Sequence, residues 1–158
     1  MKFYSVVLES FDWSVVEVAG GTGTDLKNAI NAFLEAASSE EASELWRGLE
    51  GSAFAQDTIY GAAEPTVEVM VAALADEPPG FLRAWILEVL RFILSGASED
   101  DPELAARCRE AAERGEWLLA AMARRIEGEE ERRAILEVLD HIDLPFSSMV
   151  RRGLGGLS

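Results

Sequence analysis

The chain has 158 residues, 49% of them apolar, with 14 basic against 29 acidic side chains and a formal net charge of −15. That length and apolar content suit one domain with its own core over residues 1–158. The charge argues against direct nucleic-acid binding, because phosphate contacts need Lys and Arg to displace counterions. It favours a basic partner protein, although acidity of this size also serves solubility.

The acid is concentrated early: residues 1–104 carry 5 basic and 19 acidic side chains, and residues 105–158 carry 9 and 10. The single cysteine, Cys108, forbids an internal disulfide. The opening MKFYSVVLESFDW holds an apolar run, FYSVVL, that is broken by Ser5 and followed by Glu9. It is too short for a signal-peptide core or a membrane span, so no membrane contact and a cytoplasmic location are expected.

In the N-terminal segment, 1–24, FYSVVL and WSVVEVA are rich in β-branched residues and fit either two short strands or a short helix, the helix being preferred. Helical spacing begins with DLKNAINAFLEAA (25–37) after Thr24, a good N-cap residue. Ser38 and Glu41 have the spacing of a capping box ahead of a helix carrying Leu45, Trp46 and Leu49, which Gly51 ends. The first helix pair is therefore 25–51. A second, 57–96, starts near Asp57, should bend or split at Pro65, turns at DEPPG, and returns with Leu82, Trp85, Ile86, Val89, Leu90 and Ile93 inward. Ala84, Leu87, Glu88 and Arg91 form the remaining face. Asp101 caps a third pair, 102–143, with Pro102 at its first position and Gly128 between its helices. Within it Glu129 and Arg133 have the i, i+4 spacing of an exposed pair. The Gly- and Ser-rich tail, 146–158, is expected to be flexible.

ILEVL occurs at 86–90 and again at 135–139, an offset of 49. AAE at 62–64 returns at 111–113 with the same offset. Helical patterning at such a period predicts stacked helix pairs.

Four stretches, DWSVVEVAGGTGTDL (12–26), ELWRGLEG (44–51), AQDTIYGAAEPTV (55–67) and CREAAERGEWLL (108–119), resemble those of a group of bacterial HEAT-repeat-like proteins. The chain departs from that pattern at Ala55, where the group commonly has His, at Asp57, where it has Gly, and in having no His between Trp13 and Gly21. The resemblance implies an all-α fold, a short HEAT-like solenoid of about three antiparallel helix pairs, and transfers no histidine chemistry.

Candidate chemistry is sparse. Cys108 and His141 are the sole members of their kinds, so no Cys/His metal cluster can be assembled and a nucleophile–base pair would need these two to meet. Cys108 reads as a packing residue and His141 as a helix C-terminal cation beside Asp140. GGTGT (20–24) lacks both dinucleotide and Walker spacing and reads as a turn with a helix cap. The carboxylate runs at 39–41, 99–101 and 129–131 sit at helix starts, without calcium-loop spacing. Trp13, Trp46, Trp85 and Trp117 lie on apolar stripes and read as core. No catalytic, cofactor or metal residue is assigned.

What remains is surface. Stacked pairs place Glu88 and Arg91 in register with Glu137 and Asp140, opposite the ILEVL stripes, with Arg133 on the same helix face. These five are the expected partner-binding residues. The function expected is a non-catalytic interaction module, in its sharpest form an immunity protein neutralising a cognate bacterial toxin. The alternatives are an adaptor or regulatory scaffold, a nucleic-acid mimic, and an enzyme using groove carboxylates.

Overall fold

The computed structural model describes residues 1–55, 58–96, 101–142, 149, 152 and 153. These form eight α-helices: α1 (Phe3–Glu9), α2 (Gly23–Leu34), α3 (Ser39–Glu50), α4 (Ala63–Ala75), α5 (Gly80–Ser95), α6 (Pro102–Glu113), α7 (Glu116–Arg125) and α8 (Glu129–Ile142). Between α3 and α4 lies a two-residue antiparallel pair, β1 (Phe54–Ala55) with β2 (Thr58–Ile59). The fold is thus all-helical apart from that pair. The tail expected to be flexible, 146–158, and the expected helix start at Asp57 fall outside the described residues, save Met149, Arg152 and Gly153.

The N-terminal ambiguity resolves to a helix in FYSVVL and to no strand in WSVVEVA. FYSVVL is helical, with Tyr4 and Leu8 one turn apart and buried. Trp13 sits on a 3-10 turn, buried, and its indole N–H donates to the Leu8 carbonyl at 2.7 Å. Beyond it Val16 is extended, and the next residues cross-link distant backbone: the Ala19 N–H donates to the Ser52 carbonyl at 2.8 Å, and the Glu17 carbonyl accepts the Ala62 N–H at 2.9 Å. WSVVEVA is thus a 3-10 turn over Trp13–Val15 followed by irregular chain, and not a strand.

The second helix starts earlier than its sequence suggests. Its cap is Thr22, not Thr24: the Thr22 hydroxyl accepts the Asp25 N–H at 3.1 Å and the Asp25 carboxylate accepts the Thr22 N–H at 3.2 Å, a complete capping box. Gly23 is required by close approach, since a Cβ there would fall 1.7 Å from the Trp13 carbonyl oxygen. At α3 the Ser38 hydroxyl accepts the Glu41 N–H at 3.1 Å, while the Glu41 carboxylate reaches back to the Ala37 N–H at 2.9 Å.

The helix expected from about residue 57 begins at Ala63. Pro65 consequently lies in the first turn, where a missing N–H removes no intrahelical bond, and the expected break does not occur. This α4 is buried nearly all round, from Ala63, Thr66 and Val67 to Met70 and Leu74, because α1, α5 and α6 all pack on it. Its one buried polar side chain, Thr66, donates its hydroxyl to the Ala62 carbonyl at 2.7 Å.

Both ILEVL copies behave alike: Ile86, Leu87, Val89 and Leu90 on α5 and Ile135, Leu136, Val138 and Leu139 on α8 are buried, and the two helices pack against each other. Leu87, expected on the outer face, is core. The third unit departs most. Its first helix divides at Gly115, where a Cβ would fall 2.5 Å from Val71 Cγ1, so close packing on α4 sets the break. The division shifts the helical phase and leaves Trp117, expected in the core, 74% exposed. The expected Glu129–Arg133 pair is replaced by Glu129–Arg132 at 2.8 Å. Arg132 also donates to the Ala123 and Ile126 carbonyls at 3.1 and 2.6 Å, satisfying the end of α7.

Candidate partner interface

Helices α3, α5 and α8 lie side by side, α5 packing on both neighbours. The core stripes of α5 and α8 are fixed by the apolar members of ILEVL, so residues on the opposite arc face outward. On α5 these include Glu88 and Arg91; on α8, Arg133, Glu137 and Asp140, spaced by four and three residues and so on one face.

The structure brings part of this set together. Arg91 pairs with Glu88 one turn back, its Nε lying 3.2 Å from Oε2 and a second nitrogen on the other oxygen, a two-pronged contact within α5. The hydrogen-bonded Glu88 carboxylate holds the Arg91 guanidinium above its ordinary pKa, and Glu137 on α8 adds to the effect across the helix boundary. Arg91 is therefore a cation bonded to an acid of its own helix and under the influence of one on the next. Arg133 and Glu137 are exposed and Asp140 is half-buried on the same helix.

Next to this charged strip is an aromatic cluster whose two tryptophans the sequence reading assigned to the core. Trp46 of α3 meets Trp85 of α5 with ring centroids 5.6 Å apart and planes at 47°, and meets Phe92 edge-on at 5.3 Å and 73°. All three are half-buried. The Trp85 indole N–H donates to Ser39 Oγ at 3.1 Å, which pins that ring at the α3–α5 seam. The Arg91 guanidinium lies over the Phe92 ring, 5.1 Å from its centroid, and joins the two halves of the surface.

A signal for this cluster was present in the repeat. Shifted by 49, Trp85 meets Ala134 and Phe92 meets His141, whereas every apolar member of ILEVL is kept. Large aromatics that the second copy lacks are not part of the shared packing. Trp46 itself gave no comparable sign.

Other candidates separate by burial. Cys108 is 1% exposed, and burial pushes its thiol up to about 12, the opposite of an activated nucleophile; His141 is exposed at the end of α8. Asp101 caps α6 by accepting the Leu104 N–H at 3.0 Å, and Glu40, Glu41 and Glu129 to Glu131 occupy first turns, as helix-start carboxylates should. An apolar groove of about 380 Å³ runs between α1, α4 and the α6–α7 junction, lined by Phe3, Val7, Val71 and Leu118. Among the described residues no group of three or more His, Cys, Asp or Glu is placed to hold a metal ion, and no helix is long and apolar enough to cross a membrane.

Compared with models of known protein families, with characterised proteins and with solved structures, the chain matches none.

Proposed function

We propose that this protein is a non-catalytic, cytoplasmic interaction module, built as a short HEAT-like solenoid, whose α3–α5–α8 face clasps a basic partner protein. The observation that carries the reading is the joining of Glu88, Arg91 and Glu137 to the Trp46, Trp85 and Phe92 cluster on adjacent helices. Tight interfaces combine a desolvated aromatic centre with charged residues around it, the aromatics supplying buried area and the charges steering encounter. The solenoid part is supported by the order of packing: second helices α3, α5 and α8 neighbour one another in sequence, and α4 packs on α6.

In its sharpest form the proposal is an immunity protein that neutralises a cognate toxin. A net charge of −15 suits rapid capture of a basic toxin domain, and a multi-helix face suits occluding it. The test is affinity capture from the source organism at low and high salt, followed by co-expression of what is captured. A basic protein that arrests growth alone and is tolerated beside this chain supports the reading. Growth arrest undiminished by co-expression overturns the immunity form, and capture insensitive to both salt and Glu88→Lys/Glu137→Lys overturns the acidic clasp.

A further inference from the structure

We infer that the Trp46–Trp85–Phe92 cluster is the socket for an arginine side chain of the basic partner; this rests on the reading of the α3–α5–α8 face as the binding surface. The chemistry is guanidinium stacking on aromatic faces, with carboxylates within reach of the head group.

One observation favours arginine over a generic cation, and two more favour a cation at this place. First, the surface already holds one: Arg91 lies over the Phe92 ring at 5.1 Å while Glu88 takes its N–H groups on the other side. A planar, weakly hydrated guanidinium can stack and donate in two directions at once, which a lysine ammonium cannot. Second, the half-buried Trp85 is anchored by its N–H to Ser39 Oγ at 3.1 Å, which fixes the indole at the α3–α5 seam. A cation is attracted to the face of an indole ring, and the hydrogen bond at its edge holds that ring in one orientation. Third, a carboxylate stands beside the cluster: Glu88 on α5 holds the same Arg91 that lies over Phe92, and Glu137 of α8 acts on that guanidinium too. The repeat adds an independent point: Ala134 and His141 stand at the equivalent places on α8, so packing of the repeated core does not demand Trp85 and Phe92.

The experiment uses hexa-arginine and hexa-lysine, peptides of equal charge, titrated into the full chain carrying Trp117→Phe so that fluorescence reports mainly on the socket. Hexa-arginine should quench the fluorescence and bind about 2- to 5-fold more tightly than hexa-lysine. Trp85→Ala should erase that preference while leaving a salt-sensitive basal affinity, and Trp85→Phe, which keeps a ring, should retain much of it. Equal affinities for the two peptides in the parent chain overturn the socket whatever the variants do. If Glu88→Lys/Glu137→Lys weakens both peptides and no arginine preference exists, the acidic face stands and the socket falls. If neither peptide binds, the acidic face fails and the socket with it.

Discussion

The carboxylate of Asp76, the residue that closes α4, accepts the backbone N–H of Tyr4 at 2.9 Å, and its second oxygen accepts that of Phe3 at 2.7 Å. One side chain 72 residues downstream thus caps α1, whose own N-cap, Lys2, supplies no side-chain bond. Asp76→Ala should cost about 0.5–2 kcal/mol, as loss of a local cap does. Urea unfolding reads the loss, and hydrogen exchange should show it concentrated in α1. Exchange in α1 unchanged from the parent chain would refute the capping role.

The neighbouring residue points the other way. Glu77 has φ +53°, in the left-handed region, at the position after the α4 C-cap where glycine is favoured, and it precedes Pro78. Glu77→Gly should raise stability by about 0.5–1 kcal/mol, the relief of the side-chain clash exceeding glycine's entropy. A lower unfolding midpoint in the variant would count against this.

Gly115 and Gly128 both lie between helices and should respond differently to alanine. A Cβ at Gly115 meets Val71 Cγ1 at 2.5 Å, whereas at Gly128 nothing lies within 4 Å. Gly115→Ala should cost about 1–3 kcal/mol through forced movement of the α6–α7 junction against α4. Gly128→Ala should stay within about 0.5 kcal/mol of the parent. Thermal unfolding of the pair is the check.

The two ILEVL copies allow a matched comparison. Ile86→Ala and Ile135→Ala remove fully buried side chains and should each cost about 2–5 kcal/mol. Glu88→Ala and Glu137→Ala, on the outer arc of the same helices, should cost less than about 1 kcal/mol. A large loss at either glutamate would mean that the outer face carries stability and is not free for a partner.

Cys108 gives a pH dependence with a definite sign. Its folded-state thiol is held at about 12 against an ordinary value of 9.0, chiefly by burial. The unfolded thiol therefore ionises first. The stability linked to the native proton is complete below about pH 9 and is lost as pH rises toward about 12. Denaturant unfolding across that window should fall less steeply in Cys108→Ala than in the parent chain. At neutral pH the native thiol should react with a disulfide reagent only as fast as the core opens.

Legibility from sequence followed the range of the forces involved. Local, periodic signals were readable: the apolar stripes of α2, α3, α5 and α8, the carboxylates at helix starts, Gly51 as a stop, and the 49-residue recurrence of ILEVL. They depend on residues within a turn or two of one another. Glu88, Arg91 and Glu137 were placed on one face by the same arithmetic.

What only the tertiary structure decided are the places where a distant partner outweighed local preference. Trp13 against the Gly23 backbone moved the start of α2, and Val71 against Gly115 divided α6 from α7 and turned Trp117 outward. Asp76 capped a helix 72 residues away. Trp46 and Trp85 each resemble core in their own helix, and only the meeting of α3 with α5 makes them a half-buried surface beside Arg91. Periodicity fixes which arc of a helix is apolar; which edge of that arc stays uncovered depends on the neighbour that arrives, and no single helix encodes its neighbour.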